Sequence, residues 1–161
     1  MQEVDAILMI CGDGNYMTQT KLLVAKRKLE NKIIFKGNIV PDELRTLTER
    51  AYIGINLVEN NGLSNYLSLA NKFFDYMQAC LPQLCISFPA YKKLNDEFGF
   101  AVLIEEVSAK NIAAQLNNLL ENKVLYSSLQ RNCIVAREKL NWQEEEKLLI
   151  LFYNKLFEEA S

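Results

Sequence analysis

The 161-residue chain is half hydrophobic and carries a formal net charge of −2, which suffices for one domain with a real core and falls short of two. Its lysines and arginines are scattered, so a basic nucleic-acid-binding surface is excluded. There is no histidine, and Cys11, Cys80, Cys85 and Cys133 show no Cys-x-x-Cys spacing, so neither a zinc site nor a disulfide scaffold has support.

The first ten residues carry Glu3 and Asp5 where a secretory leader needs positive charge, and no uncharged apolar run is long enough to span a bilayer. The expectation is a cytoplasmic chain without a transmembrane segment. Apolar runs at 6–11, 32–36, 51–57, 83–87 and 100–104 read as strands, short and nearly continuous, as in a parallel sheet covered on both faces. Between them, 16–29, 42–49 after Pro41, 72–80 and a short stretch near 92–97 read as helices. The stretch from Leu63 to the helix at 72 reads as a polar loop. After the last strand the chain turns wholly helical over 109–121, with Ser108 as N-cap, then 124–140 and 142–159. This alternation predicts an α/β fold, a Rossmann-like doubly wound parallel sheet of about five strands with extra helices at the carboxyl end. The last helix is apolar on more than one face, so it either packs on its own domain or leaves an exposed patch for a partner.

Three places carry chemistry. Cys11-Gly12-Asp13-Gly14 is a strand-to-helix turn whose glycines admit positive φ and let amides approach a phosphate or sugar. Met17 stands where the third glycine of a dinucleotide fingerprint belongs, which argues against NAD. Residues 33–41 form a strand and loop in which Gly37 and Pro41 shape a turn around Asn38, Ile39 and Val40. The third place is the entry to the helix at 72–80. There the amides of about Ala70 to Phe73 lack intrahelical acceptors, and the helix dipole favours negative charge. Lys72 adds a charge for a phosphate oxygen, and Asp75, one turn on, can accept hydrogen bonds from ribose hydroxyls. The competing reading of Lys72 and Asp75 is an exposed i,i+3 ion pair of little energetic weight.

The run from Leu69 to Pro82 has the pattern L-x-N-K-x-x-D-Y-M-x-A-x-L-P. It closely resembles the carboxyl-terminal, nucleotide-sugar-binding domain of GT-B-type glycosyltransferases of the glycosyl transferases group 1 family, which reads roughly S-L-P-N-K-x-x-E-Y-M-x-A-G-L-P-V-I. The turn at Gly12 and Gly14 and the Phe35-Lys36-Gly37 strand end are similar to family elements too. The resemblance spans nearly the whole chain and implies half of a GT-B fold. It further implies that Gly12, Asp13 and Gly14 border the donor pocket, that Asn38, Ile39 and Val40 meet the nucleobase through backbone groups, and that Ala70, Asn71 and Lys72 hold the diphosphate. Asp75 takes the part of the family's ribose-binding glutamate.

The reaction implied is transfer of a sugar from a nucleoside diphosphate sugar to an acceptor, without cofactor or metal, in polysaccharide or glycoconjugate biosynthesis. The full-length enzyme would be cytoplasmic and could lie at the inner face of a membrane. Departures from the pattern are Asp75 for glutamate, Ala70 for proline, Cys80 for glycine, and Leu67 where many relatives carry an acid. The chain begins at what resembles the family's second strand, so residues 1–161 are expected to form a donor-binding domain without the first βα unit and without the amino-terminal acceptor domain. No catalytic residue is assigned, and the fragment alone is expected to be inactive and to self-associate through its last helix if that helix is uncovered. Two other classes remain open. A receiver-like interaction module would need acids around a strand-end aspartate, which Ile55-Asn56-Leu57 does not supply. A sugar-nucleotide epimerase would want histidine or paired acids for proton abstraction.

Overall fold

The computed structural model describes residues 1–159. Strand β1 (Leu8–Cys11) leads through α1 (Met17–Lys26) to β2 (Ile33–Gly37), and α2 (Pro41–Arg50) leads on to β3 (Gly54–Asn56). Helices α3 (Leu63–Leu67) and α4 (Asn71–Gln78) join β3 to β4 (Gln83–Ile86), and α5 (Pro89–Phe98) joins β4 to β5 (Ala101–Ile104). Three helices close the chain: α6 (Ala109–Glu121), α7 (Lys123–Arg137) and α8 (Trp142–Glu159).

Helix ends follow local chemistry. Pro41 and Pro89 open α2 and α5 at positions where a missing N–H costs nothing. Ser108 caps α6 by accepting from the Asn111 amide at 3.3 Å, and Asn122 caps α7 by accepting from the Leu125 amide at 3.0 Å. Gly99, with φ of +66°, ends α5 in the left-handed conformation that glycine adopts without strain.

All strand pairing is parallel, yet the strands form two sheets rather than the expected single one: β1 with β2, and β3, β4 and β5 in that order. The core lies around the second sheet. Each residue of β4 is buried, and Phe73, Met77, Leu84, Phe100, Leu119 and Cys133 have no exposed surface. A side chain such as Phe73, wholly withdrawn from water, contributes on the order of 2–3 kcal/mol.

Cover on both faces holds for β4 and fails for the first sheet. There Met9 and Ile34 remain 41% and 38% exposed, and α2 buries no residue. This unit is tied down through its entry segment: Val4 is in the core, its carbonyl accepts from Lys32 Nζ at 2.9 Å, and Glu3 O accepts from Asn117 Nδ2 at 2.9 Å. Helix α8 is not packed on its own domain as one sequence reading had it, since Leu151, Phe152 and Phe157 stay well over half exposed. Helix α3 occupies part of the stretch read as a loop.

Burial pushes the Cys85 and Cys133 thiols from their ordinary 9.0 up to about 12. A raised folded-state pKa favours the protonated form, so this stabilisation is complete below pH 9 and is lost as pH rises from 9 through about 12. Urea midpoints should therefore stay level from neutrality to pH 9 and fall steeply above it. In Cys133→Ala the alkaline decline should be shallower, whatever that variant loses at neutral pH, and an unchanged slope would contradict the assignment.

Candidate functional site

Helix α4 is held in one rotation about its axis. Phe73 and Met77 point into the core, where the Phe73 ring meets those of Tyr91 and Phe100 at 5.0 Å. Gln83 Nε2 donates to the Phe73 carbonyl at 2.9 Å, binding the helix to β4. With that face committed, Lys72, Asp75, Tyr76 and Ala79, at spacing i, i+3, i+4, i+7, share one flank. All four line a groove of about 1210 Å³.

The groove runs between the two sheets. One wall is β1, Leu8 to Cys11, and the opposite wall includes Gly54 and Ile55 of β3, with α2 contributing Pro41 and Leu44. From this gap the chain winds outward one way through β1 and β2 and the other way through β3, β4 and β5. That is a topological switch point, where open α/β sheets bind ligands at the carboxyl ends of their strands.

Lys72 and Asp75 are exposed. Among the described residues the ion pairs are Lys32–Asp5, Lys92–Asp96 and Lys147–Glu144, so the i,i+3 pair that sequence allowed between Lys72 and Asp75 is not formed. Both charges are open to the groove. Of the amides expected to greet an anion, two are already engaged: Ala70 N–H donates to Tyr91 Oη at 2.9 Å and Phe73 N–H to Ala70 O at 2.9 Å. Among the described residues the Asn71 and Lys72 amides have no acceptor, and they form the positive end of α4.

The glycine turn borders a second hollow of about 290 Å³ lined by Gly12, Asp13, Gly14, Tyr16 and Phe35. Ile10 and Cys11 border both hollows, so the turn lies beside the groove. Gly12, with φ of +117°, needs the freedom of glycine. Its N–H donates to Gly37 O at 2.7 Å, and the Gly14 N–H donates to Asp13 Oδ1 at 2.8 Å, so this turn spends both glycine amides on itself. Asn38, Ile39 and Val40 lie between β2 and α2, and neither hollow is lined by them. The structure thus brings Lys72 and Asp75 together, sets Gly12 to Gly14 next to them, and leaves 38–40 apart from both.

Tyr76 was not singled out by sequence, although its place at i+4 from Lys72 was the available signal. Burial raises its phenol above the ordinary 10.0, a hydrogen bond from the Ile55 backbone opposes that, and Cys11 and Asp75 add to the rise. Tyr76 therefore stands inside the gap, between the edges of β1 and β3. Gly54 makes room for it: a Cβ there would lie 2.6 Å from Tyr76 Cγ. Nearby, Asn56 is fully buried at the end of β3, with Nδ2 3.4 Å from Cys85 Sγ and Oδ1 unpartnered.

The fold and the groove define half of a two-domain GT-B structure, a Rossmann-like α/β unit with its crevice at the switch point. The chain belongs to the glycosyl transferases group 1 family, whose model matches residues 1–140. Among solved structures it is similar to the Anabaena protein HepE in complex with UDP, at 12% identity and a TM-score of 0.74 over 92% of this chain and 41% of that one. Sucrose-phosphate synthase from Thermosynechococcus elongatus matches with a TM-score of 0.76 and 17% identity, over 96% of this chain and 39% of that one. The C-terminal domain of a glycosyl transferase group 1 family protein, LpcC, from Francisella tularensis matches at 0.61 and 17% identity, over 78% and 64%. At such identities the likeness is one of fold. The chain spans about two fifths of the length of HepE and of the synthase, and no curated protein matches it. Among the described residues no helix is long and apolar enough to cross a membrane, and no cluster of three or more His, Cys, Asp or Glu could hold a metal ion.

Gly54→Ala should cost about 2 kcal/mol of stability, as over-packing at a closed site does. In a Tyr76→Ala background the same change should cost much less, a coupling of at least about 1 kcal/mol in a urea double-mutant cycle. Additive losses would mean that the ring does not rest on Gly54.

Proposed function

We infer that this chain is the donor-binding half of a glycosyltransferase and that the groove flank of α4 holds a nucleoside diphosphate sugar. The observation that carries the reading is the pair Lys72 and Asp75, unpaired with one another and facing a groove at the switch point beside the free amides of Asn71 and Lys72. The diphosphate lies at the start of α4, where the two amides donate to its oxygens and the Lys72 ammonium balances its charge. Asp75 accepts hydrogen bonds from the ribose hydroxyls. Gly12, Asp13 and Gly14 border the donor from the β1 side, and Asn38, Ile39 and Val40 offer backbone groups to the base once the loop closes over it. Ala70 shapes the entry to the helix while its own amide stays on Tyr91.

In the reaction the bond from the anomeric carbon to the diphosphate oxygen breaks as a bond to the acceptor oxygen forms, and the electron pair leaves with the diphosphate. Charge grows where the α4 terminus and Lys72 are already aimed, so these groups favour the transition state over the ground state. The acceptor site and the group that takes the acceptor's proton belong to an amino-terminal domain outside residues 1–161, and the first βα unit of the donor-binding domain lies outside them too. Without them the fragment binds and does not turn over, and its exposed α8 brings copies together. The whole enzyme works in the cytoplasm, in polysaccharide or glycoconjugate biosynthesis.

UDP is the first nucleotide to try, because HepE was solved with UDP and with UDP-glucose. In a thermal-shift series with UDP, GDP, ADP and their sugars, one nucleotide at tenfold over its Kd should raise Tm by about 3–5 °C. Asp75→Ala and Lys72→Ala should each weaken that binding roughly tenfold or more by calorimetry, the worth of a charge-assisted hydrogen bond. A nucleotide that binds both variants as well as the parent would move the site elsewhere.

A further inference from the structure

We propose that Asn56 is a positioning residue for Lys72, its buried carbonyl oxygen being the acceptor that anchors the Lys72 ammonium beneath a bound diphosphate. The placement follows from the sheet. Asn56 pairs with Cys85 and Gly54 with Gln83, and since side chains alternate along a strand, these four share one face. Helix α4 covers that face: Gln83 Nε2 donates to the Phe73 carbonyl at 2.9 Å, and Gly54 lies against the Tyr76 ring. Joining two parallel strands, α4 runs against both, so its first turn sits at their carboxyl ends. From Gly54 to Asn56 the strand advances about 6.6 Å, and from Tyr76 back to Lys72 the helix covers about 6 Å in the same direction. As Gly54 lies under Tyr76, Asn56 lies under the turn that bears Lys72.

Asn56 has no exposed surface, its Nδ2 lies 3.4 Å from Cys85 Sγ, and among the described residues its Oδ1 has no partner. A buried carbonyl left unpaired lowers stability, a cost that a leucine of nearly the same size would not carry. The orphan therefore points to a donor that comes into place with a ligand. Lys72 is that donor by position and by chemistry, since it is exposed, stands in no ion pair among the described residues, and carries three N–H donors on a flexible stem. Burial raises the Cys85 thiol, and the Lys72 charge is among the groups that oppose that rise. Strand β3 stands between β4 and the groove, so Asn56 is nearer to Lys72 than Cys85 is. Gln83 Oε1 is unpartnered too, yet it is level with Gly54, away from the first turn of α4.

Anchored in this way, Lys72 gives one N–H to Asn56 and keeps two for phosphate oxygens. The carbonyl turns the negative end of its dipole to the ammonium, which favours the charged form that the diphosphate needs. With an apolar residue at position 56 the ammonium still meets the anion, but from a mobile stem whose freedom is lost on binding, so affinity falls while the α4 amides go on donating. The inference rests on reading the groove as a donor site.

The test is a double-mutant cycle on the full chain with Asn56→Leu and Lys72→Ala, read by calorimetry with UDP, GDP or ADP, whichever the parent binds most tightly. Asn56→Leu should weaken binding at least about fivefold in the parent background and less than about twofold in Lys72→Ala. Its urea midpoint should stay level or rise, because the orphaned carbonyl is gone. With nucleotide present, the Lys72 side-chain ammonium should give a slowly exchanging NMR signal in the parent and none in Asn56→Leu. Asn56→Ala replaces the leucine variant in the cycle if the latter does not fold. Unchanged binding in Asn56→Leu, or a lowered midpoint with the same loss of affinity in both backgrounds, would overturn the proposal and leave the donor site standing. A parent that binds none of the three nucleotides would overturn both.

Discussion

Phe73 has no exposed surface, and the rings of Tyr91 and Phe100 each lie 5.0 Å from its own. A helix of eight residues has too few hydrogen bonds to hold itself together in water, so α4 exists because its apolar face is buried, and the burial also decides its rotation. Met77 one turn on and the Gln83 amide on the Phe73 carbonyl fix the same angle. The flank of α4 turned to the groove is thereby set as Lys72, Asp75, Tyr76 and Ala79. Filling the core and aiming the polar flank are one event, and rotation of α4 by a single residue would exchange Phe73 for Lys72 in the interior at a cost of several kcal/mol for an unpaired buried charge.

The charges on that flank are inexpensive to leave apart. An exposed pair is worth about 0–1 kcal/mol, so little stability is forgone when Lys72 and Asp75 do not join as Lys92 and Asp96 do elsewhere on the surface at 3.2 Å. Unpaired, the two present opposite charges one turn apart beside a helix terminus. The Ala70 amide is spent on Tyr91 across 21 residues of sequence, which leaves the Asn71 and Lys72 amides at the start of α4. An anion placed there would meet fewer amides than a free helix end offers and would depend correspondingly more on the Lys72 side chain.

The element order was legible because each strand, buried or not, is a short apolar run, and all five strands fall within or within a residue of the runs read from sequence. Their ends were not. The run at 51–57 shrinks to Gly54–Asn56 because Tyr52 is drawn away: its carbonyl accepts from Tyr126 Oη at 2.9 Å, its ring stacks on Tyr126 at 4.2 Å, and its hydroxyl accepts from Lys123 at 3.0 Å. Helix α3 is a five-residue turn inside a polar stretch, too short for periodicity to register. Lateral order was invisible for a deeper reason, since the apolarity of β1 and β3 is the same whether or not they touch. At the site, Lys72 and Asp75 announced themselves by motif and helical spacing. Tyr76, Cys11 and Tyr91 matter through contacts between distant elements, and no local pattern encodes those.

The apolar surface of the chain is unevenly distributed. Half the residues are hydrophobic, and around β4 they are used fully. Elsewhere many stay exposed, among them Leu148, Leu151 and Phe157 along α8 and Ile7 and Leu22 over the first sheet unit, all above 60%. Scattered exposed apolar residues are ordinary, whereas contiguous ones are rare on proteins that act alone. The first unit exposes a sheet edge as well as side chains, so a cover that supplied only apolar contact would leave the Met9 and Cys11 backbone groups unsatisfied and now buried, each at about 1–3 kcal/mol. A cover there has to bring hydrogen-bonding groups as well as apolar ones, while α8, whose backbone bonds are internal, can be covered by any apolar surface. The two patches therefore differ in what can close them, and the groove beside Lys72 and Asp75 is the more selective.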